Sequence, residues 1–425
     1  MQMESILLRG LPPSVADAPA AGDEWAKSPV SGLSDMALAA AVAAAIARPK
    51  RDADTSFLTH APLELAARAA LLPMVAEKAR DDVRRRMAAI AAQYARAGEE
   101  IEDRRRAYLN EAAAAGSLLA AIREGDADEA DAALLYLLPR VSPLELRRAL
   151  AKDVMPSLGA AAHAPILLAE LPRLEARLAG AAHLLRAPVR QIAKMSSVRI
   201  SWHERAPSAK SAADEGAALL EALQAPPRVQ STSLYIAPTM LAVEADGYAE
   251  VQLAAATANL SVEAATRAIL RTGAWSMLQD DPAHAPYGWS HALTMPQGAL
   301  SCADAVEDQT MLVRIAATHA LGFRATLGKA RLNDAPPPRP RSDAFVNVAP
   351  RDAAGAVYHA DAGRIGEIRT AMATRAATHA DAHLAKYTLA AFDAAARDPA
   401  AARLFLAAAA YLGAWWDANP GAAFE

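Results

Sequence analysis

The stretch THADAHLAKYTLAAFDAAARDP, residues 378–399, decides how this chain is read. Alanine and leucine dominate it, and it closes on Arg397, Asp398 and Pro399, a basic residue followed by a normal helix stop. The predicted element is a helix. At about 100° per residue, His379, His383 and Lys386 fall at roughly 0°, 40° and −20°, so all three share one face. Two imidazoles and an amine on such a helix make either a solvated stripe or a site.

The remainder of the chain repeats the composition of this stretch. Of 425 residues 53% are apolar, many of them alanine, and only 5% are aromatic, so helix propensity dominates. The expected fold is all-α: a single large multi-helix bundle over residues 34–425, preceded by an N-terminal arm, residues 1–33, rich in Pro, Gly, Ser and Asp. A net charge of −4, with basic runs such as Arg84 to Arg86 alternating with acids, argues against a nucleic-acid partner. The single cysteine, Cys302, excludes an intramolecular disulfide and a thiolate metal cage, which fits a reducing compartment. Any metal must be held by histidines and carboxylates.

The amino terminus MQMESILLRGLPPSV carries an early acid and too short an apolar run for a secretory signal. The apolar run from Met36 to Ala47 is too short to span a bilayer. The expectation is a soluble cytoplasmic protein with no membrane partner, for which a homodimer is an open option.

Along the chain, Phe57 to Val75 reads as a helix with His60 at its entrance and Pro62 in its first turn. From Glu77 to about Ile122 the pattern is charged and helical, with EEIEDRRR setting acids ahead of arginines at helical spacing. Two short helices follow, split by the turn from Pro139 to Pro143, and then a segment placing His163 and His183 in apolar surroundings. SSVRISWHERAP and QSTSLYIAP have strand-like composition and suggest a small extended excursion near 196–237. Helices then cover Met240 to Leu278, and the loop QDDPAHAPYGWS leads into a helical block with His291 and His319. Proline-containing stretches form a long connection from about 333 to 356.

Four motifs stand apart: LTHAPLEL around His60, AAHAPILL around His163, WSHALTMP around His291, and DAHLAKYT around His383 and Lys386. Taken singly, each reads as a core histidine satisfied by a backbone carbonyl. Together they fit a metal site inside a bundle, whose ligands converge from several helices and are therefore far apart in sequence. Histidines without thiolates suit Fe, Zn, Mn, Ni or Cu. Lys386 has three readings: snorkelling to solvent, a base with its pKa lowered by burial, or carboxylation by CO2 to an anionic oxygen donor.

The order of these motifs, above all SHALT and the late HxxK of DAHLAKYT, resembles the questin oxidase-like family, whose members include oxygenases that open anthraquinone rings. The likeness consists of short motifs spread from about residue 57 to 416. It implies a mostly helical enzyme with a mononuclear non-haem iron held by four histidines and, in part of the family, a carboxylated lysine. Mapped by motif, these are His60, His163, His291, His383 and Lys386. Fe(II) would be the cofactor, dioxygen the co-substrate, and an aromatic or quinone polyketide-type natural product the substrate, opened by a dioxygenase or Baeyer-Villiger-like reaction. The alanine-rich composition departs from the family's fungal members and leaves substrate identity open. With no Gly-rich loop in a strand-turn-helix context, NADPH and FAD find no support in the sequence.

His319, in a long apolar helix, is the first reserve ligand. His379 is either an outer residue orienting His383 or simply exposed. His284, on a loop with Tyr287 and Trp289, lines an entrance for a flat substrate or packs as an ordinary loop residue. Trp415 and Trp416 read as core on one side and pocket or interface on the other, while His183, His203 and His359 receive no role. There is no GxSxG elbow, and Cys302 has no flanking signature of a nucleophile. Two rival readings stand beside the oxygenase: a non-catalytic helical scaffold with structural histidines, and a Zn- or Mn-dependent hydrolase.

Overall fold

Caps written into the sequence begin and end the helices of this protein, seen here in a computed structural model. The structure describes residues 22–51, 56–178, 180–205, 216–233, 235–420 and 422. The protein is all-α. No strand occurs among the described residues, and the only ladder-type pairings there are isolated bridges between Lys50 and Glu100 and between Ser157 and Arg199. No helix among them is long and apolar enough to cross a membrane. The chain divides into two compact units at Arg199 and Ile200, where the sequence reading draws one body from residue 34.

The first unit contains α1 (Asp35–Ile46), α2 (Ser56–Leu71), α3 (Arg80–Arg96), α4 (Glu111–Glu124), α5 (Ala127–Leu137), α6 (Pro143–Val154), α7 (Ala164–Glu175) and α8 (Arg186–Lys194). Ser34 opens α1 by accepting from Ala37 N, Asn110 opens α4 by accepting from Ala113 N, and Ser142 with Glu145 forms a capping box on α6. Gly125 ends α4 at φ 88°, a left-handed position that suits glycine. α1 packs on α2 and α3, α5 on α4 and α8, and α7 on α2 and α6. The contact of α7 with α2 is the one that matters below.

The second unit contains α9 (Ala217–Gln224), α10 (Ile236–Glu244), α11 (Tyr248–Thr257), α12 (Val262–Gln279), α13 (Ser290–Leu300), α14 (Gln309–Leu327), α15 (Pro350–Tyr358), α16 (Ile365–Thr378), α17 (Ala382–Arg397) and α18 (Ala402–Ala418). Every residue of α14 from Met311 to Leu327 is buried, because α10, α11, α12 and α13 surround it. α13 is buried along its whole length and packs on α12, α14 and α17. Gly273 of α12 allows α13 to approach closely: a Cβ there would lie 2.7 Å from the Ala292 carbonyl oxygen.

Four expectations change. Of the N-terminal arm, residues 1–21 lie outside the described residues, and Gly22–Lys27 is a short helix. Residues 97–110 are not helical, although EEIEDRRR has helical charge spacing. Its charges bind partners distant in sequence instead: Glu100 with Arg48 at 3.0 Å, Asp103 with Arg186 at 2.9 Å, Arg104 with Asp128 at 2.6 Å, and Arg106 with Glu129. In the expected excursion near 196–237, the described residues hold a 3-10 turn (Trp202–Glu204) and α9, with non-helical chain over 225–233 but no hairpin. Pro62 lies inside α2, so His60 sits within the helix and not at its entrance.

Candidate metal centre

In the first unit, His60 projects from α2 and His163 stands immediately before α7. Their ring centroids are 4.3 Å apart at an interplanar angle of 77°. His163 is 2% exposed. Its position is set by an unusual turn: Ala160, Ala161 and Ala162 all have positive φ, 54°, 50° and 54°, a left-handed conformation that costs an L-residue about 1–2 kcal/mol each. Strain of this kind persists where the surroundings fix it, and it concentrates at functional sites. The turn aims the Ala160 carbonyl at His163, which donates from its backbone N at 3.0 Å and from its ring Nδ1 at 3.2 Å.

The second unit holds the other pair. His291 on α13 and His383 on α17 have ring centroids 5.1 Å apart at 87°, and both are buried. Gln297 Nε2 donates to the Ala390 carbonyl at 3.2 Å and ties α13 to α17. His291 Nδ1 donates to the Tyr287 carbonyl at 2.5 Å, within a π-helical turn spanning Ala285–Trp289. Asp381, the cap of α17, accepts at one carboxylate oxygen from His383 N at 2.6 Å and from His383 Nδ1 at 2.9 Å. Burial would push the Asp381 carboxyl up, but hydrogen bonding and charge from His383, with the charge of Lys386, hold it below the usual carboxylate range. Lys386, 8% exposed, lies one turn beyond His383.

These acceptors settle the tautomers of three histidines. A carbonyl or carboxylate oxygen can only accept, so Nδ1 of His163, His291 and His383 carries a proton, and in the neutral ring the lone pair is on Nε2. That is the arrangement in which metal-ligating histidines are held. His183 shows that the lock alone means little: its Nδ1 donates to Gly180 at 3.0 Å, but it is half-exposed. A satisfied core histidine accounts for the first nitrogen of each ring. It does not account for two imidazoles set edge to face in each unit, both buried in the second and one buried against the half-buried His60 in the first.

Several residues fall elsewhere than expected. The stripe of three is broken between α16 and α17. His379 caps α16, packs with its ring 5.0 Å from that of Trp416 at a tilt of 49°, and accepts at Nδ1 from Asp381 N at 3.0 Å. It therefore orients Asp381, which in turn orients His383. His319 lies on α14 at 1% exposure, where burial alone lowers its pKa to about 4, so it is neutral near pH 7. His284 is half-exposed with its ring 6.2 Å from Trp289, and burial lowers its pKa. Trp415 and Trp416 are both buried and meet edge to face at 5.1 Å. Asp381 is the residue that the sequence reading missed, and its signal was present: an Asp two places before a His at a helix start.

In comparison with known proteins, no family model, no curated protein and no solved structure matches this chain.

Proposed function

We propose that this chain is a non-haem iron oxygenase in which His60, His163, His291, His383 and Lys386 are the metal ligands and a flat aromatic or quinone-like small molecule is the substrate. The observation that carries the reading is the edge-to-face pairing of imidazoles, His60 with His163 and His291 with His383, with Nδ1 of His163, His291 and His383 each committed to an oxygen. The donor set fits the ion: imidazoles without thiolates suit ferrous iron, and a carboxylated Lys386 would add an anionic oxygen where an ammonium would repel a cation. Bound Fe(II) would supply the one-electron chemistry that lets dioxygen react with a closed-shell organic molecule.

The chain's own residues have separable tasks. Asp381 and the carbonyls of Ala160 and Tyr287 keep the proton on Nδ1 and the rings in place. The Tyr287 ring, 4.9 Å from His383, and Phe323, stacked on His291 at 6.4 Å, give the second pair aromatic walls that suit a flat ring and exclude water. The reading places the enzyme in a reducing cytoplasm, where the buried Cys302 stays a thiol.

The test is elemental analysis of protein purified without air, beside His163→Ala and His383→Ala. Iron near one equivalent per chain, lost in both variants, with oxygen uptake in the presence of hydroxylated anthraquinones, is the expected result. Zinc in its place, or metal-free protein, would overturn it.

A further inference from the structure

We propose that the first unit carries a second, metal-independent ligand site: a cleft of about 700 Å³ that binds a small organic anion, a carboxylate or phosphate ester with a flat apolar body. That volume falls within the usual range for small-molecule pockets. Its floor is apolar because α1 presents Ala40, Ala43 and Ala44 at helical spacing with its C-cap residue Ala47, and Ala132 and Leu135 of α5 continue that surface. Small side chains leave the volume open.

Charge supplies the second half of the argument. Five guanidinium groups line the cleft, those of Arg48, Arg105, Arg106, Arg140 and Arg186, against the single carboxylate of Asp103. Three are neutralised: Arg48 by Glu100, Arg106 by Glu129, and the buried Arg186 by Asp131 and Asp103. Arg105 and Arg140 have no carboxylate partner among the described residues. Arg140 is already oriented, its guanidinium 3.9 Å over the Tyr136 ring and one nitrogen donating to the Tyr136 carbonyl at 2.7 Å. Arg105 is delivered by the non-helical segment 97–110, whose neighbouring charges are tied to α5 and α8.

An inorganic anion would leave the alanine floor in water, and a neutral apolar molecule would leave two cations unanswered. A ligand with both parts satisfies both. His183 also lines the cleft; with Nδ1 committed to Gly180, its Nε2 accepts from a hydroxyl on the ligand body.

The experiment is calorimetric titration of the full chain, before and after chelation of metal, with 2-naphthoate, 1-naphthyl phosphate and the neutral 2-naphthalenemethanol. Wild type is compared with Arg105→Ala and Arg140→Ala, both at exposed positions, with thermal melts confirming that the variants fold. At least one anion should bind better than the alcohol, weaken with salt, lose roughly tenfold in each variant, and be indifferent to chelation. The tighter of the two anions identifies the head group. Equal affinity for the alcohol, unchanged affinity in the variants, dependence on metal, or no binding of either anion at millimolar concentration would each overturn the proposal. Because the readout does not involve iron, its failure and that of the oxygenase reading are distinguishable.

Discussion

The two units bury their histidines differently. In the second unit α14 is buried on every side, and His291 sits on α13, itself buried throughout. In the first unit burial is uneven: α2 is buried at every position from Ala61 to Ala69, whereas α1 leaves a face open along which the cleft lies. His163 there is oriented by a carbonyl that a strained turn presents, whereas His383 in the second unit is oriented by a carboxylate. A carbonyl cannot be deleted by substitution, but a carboxylate can. His163 is therefore adjustable only through the backbone, as is His291 through the Tyr287 carbonyl, whereas His383 is adjustable through a side chain.

The depth of the second unit gives the largest expected effect. His319 on α14 has its pKa lowered to about 4, so between there and its ordinary value the unfolded chain takes up a proton that the native protein refuses. Stability is then fully present above about pH 6.5 and lost as pH falls, by on the order of 3 kcal/mol in total. Urea denaturation at pH 7 and pH 4.5 should show a smaller loss for His319→Leu than for wild type. Parallel losses would mean that His319 is not the buried neutral base described.

Next in size is the helix contact behind His291. In Gly273→Ala the new Cβ would meet backbone atoms only, the Ala292 carbonyl oxygen at 2.7 Å and Leu293 Cα at 3.2 Å, so α13 must shift. A destabilisation of about 2 kcal/mol is expected, together with weakened metal binding. An unchanged melting temperature would show that α12 and α13 have slack. Asp381→Asn follows. It removes the charge that holds His383 while keeping the shape, and an amide oriented with its NH2 toward Nδ1 favours the opposite tautomer. Metal affinity should drop roughly 10- to 100-fold with little change in stability, and equal affinity would remove Asp381 from the site.

The same contrast explains what could be read in the sequence. Alanine content, end caps and helix stops announce themselves in residue type, so the all-α class and most helices were legible. Segment 97–110 was not, because i,i+4 charge spacing is worth only tenths of a kcal/mol and the partners Asp128, Glu129 and Arg186 lie far along the chain. Each histidine was visible as a residue, but the pairing of His60 with His163 and of His291 with His383 was not, because rings that meet between helices share no local spacing. What orients them was hidden. Carbonyls of Ala160 and Tyr287 have no sequence signature, and His379 fell off the expected stripe because Asp381 begins a new helix two residues later.

The smallest effect probes the backbone arrangement of the first unit. Ala161 sits mid-turn at φ 50° and is half-exposed, so glycine there relieves left-handed strain while little packing is lost. Glycine also gives the unfolded chain more freedom, which offsets part of the relief, so Ala161→Gly should gain no more than about 1 kcal/mol. The same freedom lets the Ala160 carbonyl drift from His163 Nδ1, and metal affinity should fall although stability rises. Calorimetric melting and a metal titration on one preparation decide it. A lower melting temperature would deny the strain. A higher one with unchanged affinity would show that the strained turn belongs to the fold of the first unit and not to the orientation of its histidine.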